Sequence, residues 1–152
     1  MTDDVITVER LIPAEPQEIF AYLADATKHK EIDGSGSVRD AKGDPEPLRL
    51  GSKFGMSMKI GIPYSMVNTV IDFEQDRRIA WQTHGPTALG RFVGGRIWRY
   101  ELEPSEDGTL VKESWDITQE SPISRFSTRR MAGMTKRNME KTLARIEELV
   151  SR

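Results

Sequence analysis

The 152-residue chain reads as an α+β fold, an antiparallel sheet packed against a long C-terminal helix. Two observations predict it. The first is the stretch Trp98 to Trp115, in which two alternating runs flank the turn signal Ser105-Glu106-Asp107-Gly108. Pairing Pro104 with Thr109 sets Leu102 opposite Val111, Tyr100 opposite Glu113 and Trp98 opposite Trp115, all on one face, and on the other face it sets Glu101 against Lys112, a favourable cross-strand charge pair. The second is the segment from Ser121-Pro122 to about Val150, which begins with a capping serine and a proline suited to the first helical position. It then carries the apolar stripe Met131, Met134, Met139, Leu143, Ile146 and Val150, with Arg129, Lys136, Glu140 and Glu147 on the wet side. As one helix it would run roughly 43 Å at 1.5 Å per residue. Gly133 inside it, about 1 kcal/mol worse than alanine, predicts a bend or the close approach of something bulky, with a ligand as one candidate.

The remaining elements follow in order. Val5 to Ile12 alternates as a first strand, and Pro13-Ala14-Glu15-Pro16 opens a short helix packed through Ile19, Phe20, Tyr22 and Leu23. A second helical turn over Thr27 to Ile32 stops at Asp33-Gly34-Ser35-Gly36. The punctuated segment 34–51 holds at most a short strand near Ser37 to Ala41. From Lys53 the period is two, with Phe54, Met56, Met58 and Ile60 on one face and Gly61-Ile62-Pro63 as the turn. The next strand presents Val67, Thr69, Ile71 and Phe73, turns through Gln75-Asp76-Arg77 and returns with Ile79, Trp81 and Thr83, which sets Trp81 opposite Ile71. Gly85-Pro86 closes it, and the glycines from Gly90 to Gly95 blur the start of the following strand. No repeat, linker or low-complexity tract divides the chain, so residues 1–152 are expected to be one domain.

Composition narrows the function classes. Charged residues make up 30% and mean hydropathy is −0.53, and no run approaches the roughly 18 apolar residues of a membrane span. The acidic start, Met-Thr-Asp-Asp, lacks the basic and apolar regions of a signal peptide, which predicts a cytoplasmic protein. With no cysteine and only His29 and His84, a Cys-rich zinc site is excluded and no metal or other cofactor is expected. Net charge is −2, yet residues 121 to 152 hold eight Lys/Arg against three Asp/Glu. A solvated helix face balanced by acidic loops accounts for this imbalance. A transient contact of that face with anionic lipid headgroups or an acidic partner is the alternative. A pI near 5.8, without basic residues interleaved with exposed aromatics, argues against nucleic acid.

The candidate chemistry centres on Glu113. A carboxylate among aromatics on the apolar face of a sheet must find a partner or a wet cavity, since leaving it dry and unpaired costs several kcal/mol. Arg96 shares that face by period two and Tyr100 lies opposite, so Glu113 is read either as part of an internal ion-pair network or as a ligand contact that could act as acid or base. Trp81, Trp98, Tyr100 and Trp115 form either plain core or a stacking wall for a lipophilic molecule. Met58, Met131 and Met134 would add an adaptable surface, and Asn138 a polar contact at the far end. His29 and Asp33, four residues apart, would share a helical face, as a cap or as a gate at the entrance.

Together these segments resemble the START-like, or SRPBCC, superfamily, and within it the polyketide cyclase/dehydrase and lipid-transport group. The carriers are Ile12-Pro-Ala-Glu-Pro-Gln-Glu-Ile-Phe-Ala-Tyr-Leu-Ala-Asp25, His29 with Asp33-Gly-Ser-Gly36, Arg78-Ile-Ala-Trp81, Trp98-Arg-Tyr-Glu-Leu-Glu-Pro104 and Gly108-Thr-Leu-Val-Lys-Glu-Ser-Trp115. Ile32 stands where many relatives carry a tryptophan, a departure at the pocket rim. The resemblance implies a helix-grip fold, in which a curved sheet of six to seven strands wraps the terminal helix and two short helices follow the first strand. It also implies a cavity for a small hydrophobic molecule such as a lipid, isoprenoid or polyketide, in a monomer or homodimer. The expected role is a carrier or sensor. The alternative is a cofactor-independent cyclase or dehydratase with Glu113 as its acid/base and Tyr100 and Arg96 as polar orienters.

Overall fold

The structure, a computed structural model, describes residues 4–33, 38–42, 47–60, 62–85 and 94–151, with the backbone alone for 38–42, 56–60, 62–65 and 123. Strand β1 (Val5–Ile12) leads into α1 (Pro16–Leu23), a 3-10 turn (Ala26–Lys28) and the short α2 (His29–Ile32). Then come β2 (Val38–Lys42), β3 (Lys53–Ile60), β4 (Ile62–Glu74), β5 (Arg78–His84), β6 (Gly94–Ser105) and β7 (Gly108–Asp116), followed by α3 (Pro122–Arg130) and α4 (Ala132–Val150). The described strands form one antiparallel sheet in the order β1-β7-β6-β5-β4-β3-β2, so a meander is completed by the first strand docking on the last. α4 packs against β1 and β7 and against α1 and α2, the arrangement of a helix-grip fold.

Local chemistry explains the elements. α1 starts at Pro16, whose missing N–H costs nothing in a first turn, and the Glu18 carboxylate accepts the Glu15 amide in a capping box. The β6–β7 hairpin has the register read from its sequence, from Ser105 opposite Gly108 to Trp98 opposite Trp115, with Glu101 opposite Lys112. Gly108 sits at φ +134°, and any Cβ there would collide with the Ile12 carbonyl, so only glycine permits β1 to pack this closely on the turn.

Three expectations are corrected. Ile62 and Pro63 belong to β4, with Ile62 opposite Ile60, and are not turn residues. Trp81 lies opposite Val70, because a β-bulge at Ile71 leaves that residue without a partner. The bulge shifts the inward set: Asn68 and Val70 are buried, Ile71 is turned out, and beyond it Phe73 packs on Phe20 with ring centroids 5.6 Å apart. The terminal helix is two helices, not one, broken at Met131. The break precedes Gly133, which is exposed, and a Cβ there would meet nothing nearer than an Arg137 nitrogen at 3.8 Å. Among the described residues no bulky neighbour requires this glycine.

Candidate functional site

The inward face of β5, β6 and β7 carries a line of rings that ends on a buried carboxyl group. Glu113 is 2% exposed, and the Tyr100 hydroxyl donates to its Oε2 at 2.9 Å. Its Oε1 is fully buried and has no hydrogen-bond partner among the described residues. Burial pushes the Glu113 carboxyl up to about 8, assisted by the negative charge of Asp33 and opposed by the Tyr100 hydrogen bond. Burial, and then the neighbouring Glu113, raise the Tyr100 hydroxyl well above its usual value. At neutral pH the pair is therefore a neutral phenol donating to a mostly neutral acid, and the acid's own proton belongs on the free Oε1.

From Tyr100 the rings continue through Trp81, 5.7 Å away, to His29, stacked on Trp81 at 4.9 Å, and to Phe54, edge-on to His29 at 5.3 Å. His29 comes from α2 and is 6% exposed. Its Nε2 donates to the Leu23 carbonyl at 2.8 Å, which fixes the tautomer and makes Nδ1 the basic nitrogen. Burial lowers its pKa, so the ring is neutral here. Asp33 meets His29 through the backbone, its amide donating to the His29 carbonyl at 3.0 Å, which is the capping contact. On the other flank Trp98 and Trp115 lie 6.3 Å apart, Trp115 buried and Trp98 half-buried.

Tyr100, Glu113, Trp81, Trp98 and Trp115 are thus brought together as their alternation requires, and other candidates are placed differently. Arg96 does not pair with Glu113. Its Nε lies 3.3 Å from Oε2 of Glu120, a fully buried carboxylate in the β7–α3 connection that the sequence reading missed. Thr128 on α3 donates to the same oxygen, and Arg125 donates to the Glu120 carbonyl. Met131 is half-buried at the helix break, Asn138 is half-buried on α4, and Met134, expected on the inner wall, is 43% exposed. Met134 lies five residues before Met139 on the same helix, about 140° around it at 3.6 residues per turn, so Thr135 and not Met134 continues the buried stripe. Met58 lies in β3, and its side chain is outside the described residues. Asn68 and Thr83, paired across β4 and β5 with a 2.6 Å hydrogen bond, are a second buried polar pair. Nothing in the sequence marks Glu120, since a connection has no period. His29 was visible, but its stacking on Trp81 depends on where α2 docks. Among the described residues no three His, Cys, Asp or Glu side chains cluster as a metal site would require.

The family model described as polyketide cyclase/dehydrase and lipid transport matches residues 4–151. The chain belongs to this family. An uncharacterized protein of Mycobacterium tuberculosis is 33% identical over 147 residues, which cover 93% of this chain and 62% of the relative. The chain thus spans less than two thirds of the curated relatives it matches. Among solved structures, protein NE0264 from Nitrosomonas europaea superposes with a TM-score of 0.73 at 16% identity, covering 99% of this chain and 97% of that one. The di-domain aromatase/cyclase StfQ of the steffimycin biosynthetic pathway gives 0.74 at 10% identity, covering 97% of this chain and 50% of that one. At such identities the family's fold is shared, while function depends on the individual site.

Proposed function

We propose that residues 4–151 act as one domain that binds a small, largely apolar molecule between the sheet and the C-terminal helices, as a carrier or sensor. One observation carries the reading: Glu113 Oε1, buried among aromatic rings, without a partner among the described residues. An unsatisfied buried carboxyl oxygen costs on the order of 1 to 3 kcal/mol, a cost that a ligand hydroxyl or carbonyl would remove. The rings of Trp81, Trp98 and Tyr100 supply rigid apolar area for the rest of the molecule. Membership of a family that includes lipid transport supports this class of ligand.

The test is incubation of the purified chain with a mixed panel of acyl lipids, isoprenoids and aromatic polyketides, followed by mass spectrometry of what it retains. Retention of an unchanged compound, with saturable quenching of tryptophan fluorescence, is expected. Trp98→Ala, at a half-buried position, should weaken that binding roughly tenfold and remain folded. Unchanged affinity in the folded variant would overturn the assignment of the ring face.

The raised pKa of Glu113 supports a second reading, a cofactor-independent cyclase or dehydratase. An acid poised near 8 can give a proton to a carbonyl or departing hydroxyl oxygen at neutral pH and take one back. The family description and the StfQ fold likeness agree with this alternative. It requires a time-dependent mass change that Glu113→Gln abolishes while binding persists; equal turnover in the two proteins would remove Glu113 from the chemistry.

A further inference from the structure

We infer that the outer face of α3 and of the first turns of α4 is a docking surface for an anionic lipid bilayer. Among the described side chains of α3 the one that is buried is a threonine, while the aromatic stands in water. Its inward contacts among the described side chains are polar: the hydroxyl of Thr128, 3% exposed, is shared between Glu120 and the Ser124 carbonyl of its own helix, Arg125 donates to the carbonyls of Thr118 and Glu120, and Ser124 Oγ accepts the Gly94 amide. Arg129 forms a two-bond ion pair with Asp4 at 2.8 Å. Phe126 is left pointing outwards, 71% exposed, the most exposed large apolar side chain among the described residues. A water-soluble helix ordinarily turns its aromatic towards the core, so a phenylalanine left in water on a helix anchored by polar contacts to Gly94, Thr118, Glu120 and Asp4 calls for a partner.

The surroundings of Phe126 identify that partner. From Ser121 to Met139 the chain has five Lys/Arg and no acidic residue. Arg125 and Arg129 serve the inner contacts. Arg130, Lys136 and Arg137 are exposed and have no carboxylate partner among the described residues. The Arg130 guanidinium lies 5.7 Å from the centre of the Phe126 ring, so a cation sits at the base of the aromatic. Met134, 43% exposed in the first turn of α4, adds a second exposed apolar side chain to this stretch between Arg130 and Arg137. An exposed aromatic with a guanidinium at its base, in a stretch that adds an exposed methionine and the unpaired Lys136 and Arg137 described above, matches the interface of an anionic bilayer, with rings at the headgroup and acyl boundary and guanidinium groups on the phosphates. A soluble polyanion would use the cations and leave Phe126 in water.

The test is co-sedimentation of the full chain with phosphatidylcholine vesicles prepared with and without phosphatidylserine, over a range of salt. Binding should require phosphatidylserine and weaken as salt rises, because screening acts within about 10 Å at 0.1 M. Each cation near such a surface contributes about a fivefold gain in partitioning, so the double variant Arg130→Gln/Arg137→Gln should lose on the order of thirtyfold. Phe126→Ser should lose on the order of tenfold at every salt concentration. These side chains face solvent, so near-ultraviolet circular dichroism should be unchanged in both variants. Absence of binding to phosphatidylserine vesicles overturns the inference, as does binding that survives both variants. Binding abolished by the arginine variant but untouched by Phe126→Ser also overturns it, in favour of a purely electrostatic polyanion surface.

Discussion

At the scale of single residues, Glu113 and His29 make opposite demands on pH. Glu113 is raised from 4.5 to about 8, so between those values the folded chain holds a proton that the unfolded chain has released, and stability falls as pH rises. His29 is lowered from 6.5, so below that value the unfolded chain binds the extra proton, and stability rises with pH up to 6.5. The two slopes oppose each other below pH 6.5. Above it His29 is neutral in both states and Glu113 acts without that counterweight. Chemical denaturation between pH 6.5 and 8 should therefore show a loss on the order of 1 to 2 kcal/mol in the parent chain. Glu113→Gln keeps the shape and can still accept the Tyr100 hydrogen bond, yet has no proton to lose. Its stability should be flat across that window, and an equal slope in the two proteins would assign the titration to another group.

At the scale of elements, the terminal helices offer the cleanest separation of what sequence carries from what it omits. The apolar spacing announced helix over nearly the whole of 122–150, and Met139, Leu143 and Ile146 are buried as the stripe requires. The exact place of the break, Met131, was not legible, because α3 is fixed by side-chain contacts to Glu120 and Asp4 that no apolar spacing records. Of the two readings of Gly133, the bend is met by the break two residues before it, while the close approach is not, since the glycine is exposed with space beside it. Gly133→Ala should therefore stabilise the chain by about 0.5 to 1 kcal/mol, read as an increase in the denaturation midpoint with unchanged slope. The β6–β7 hairpin is the opposite case, since turn residues, alternation and the Glu101–Lys112 pair all specify one register. β4 lacked such redundancy. Val70 and Ile71 are both β-branched and apolar, so either could pair with Trp81, and the choice of Val70 is made by the packing of Phe73 on Phe20.

At the scale of the whole molecule, the site was half legible for the same reason. Tyr100, Glu113, Trp98 and Trp115 are brought together by one local hairpin and Arg96 meets Glu120 at its open end, whereas His29 reaches Trp81 and Phe54 only after the N-terminal segment has docked on the sheet. That docking depends on β1, which pairs along its full length with β7, the strand that holds Glu113, and forms contacts with α4. Its attachment has two components. Val8 and Ile12 are buried, Ile12 completely, while Arg10 forms an ion pair with Glu147 at 3.0 Å on a surface where both side chains remain wet. Apolar burial should dominate, because truncating a fully buried isoleucine costs about 2 to 5 kcal/mol and an exposed ion pair contributes about 0.2 to 1. Ile12→Ala should accordingly cost several-fold more than Arg10→Ala in a urea titration, and should lower the temperature at which the near-ultraviolet signal of the three tryptophans disappears. Only the arginine variant should converge with the parent chain as salt is raised. If Arg10→Ala proved the more damaging of the two, the closure of the sheet would be electrostatic, and the buried face of β1 would not be what holds the two ends of the chain together.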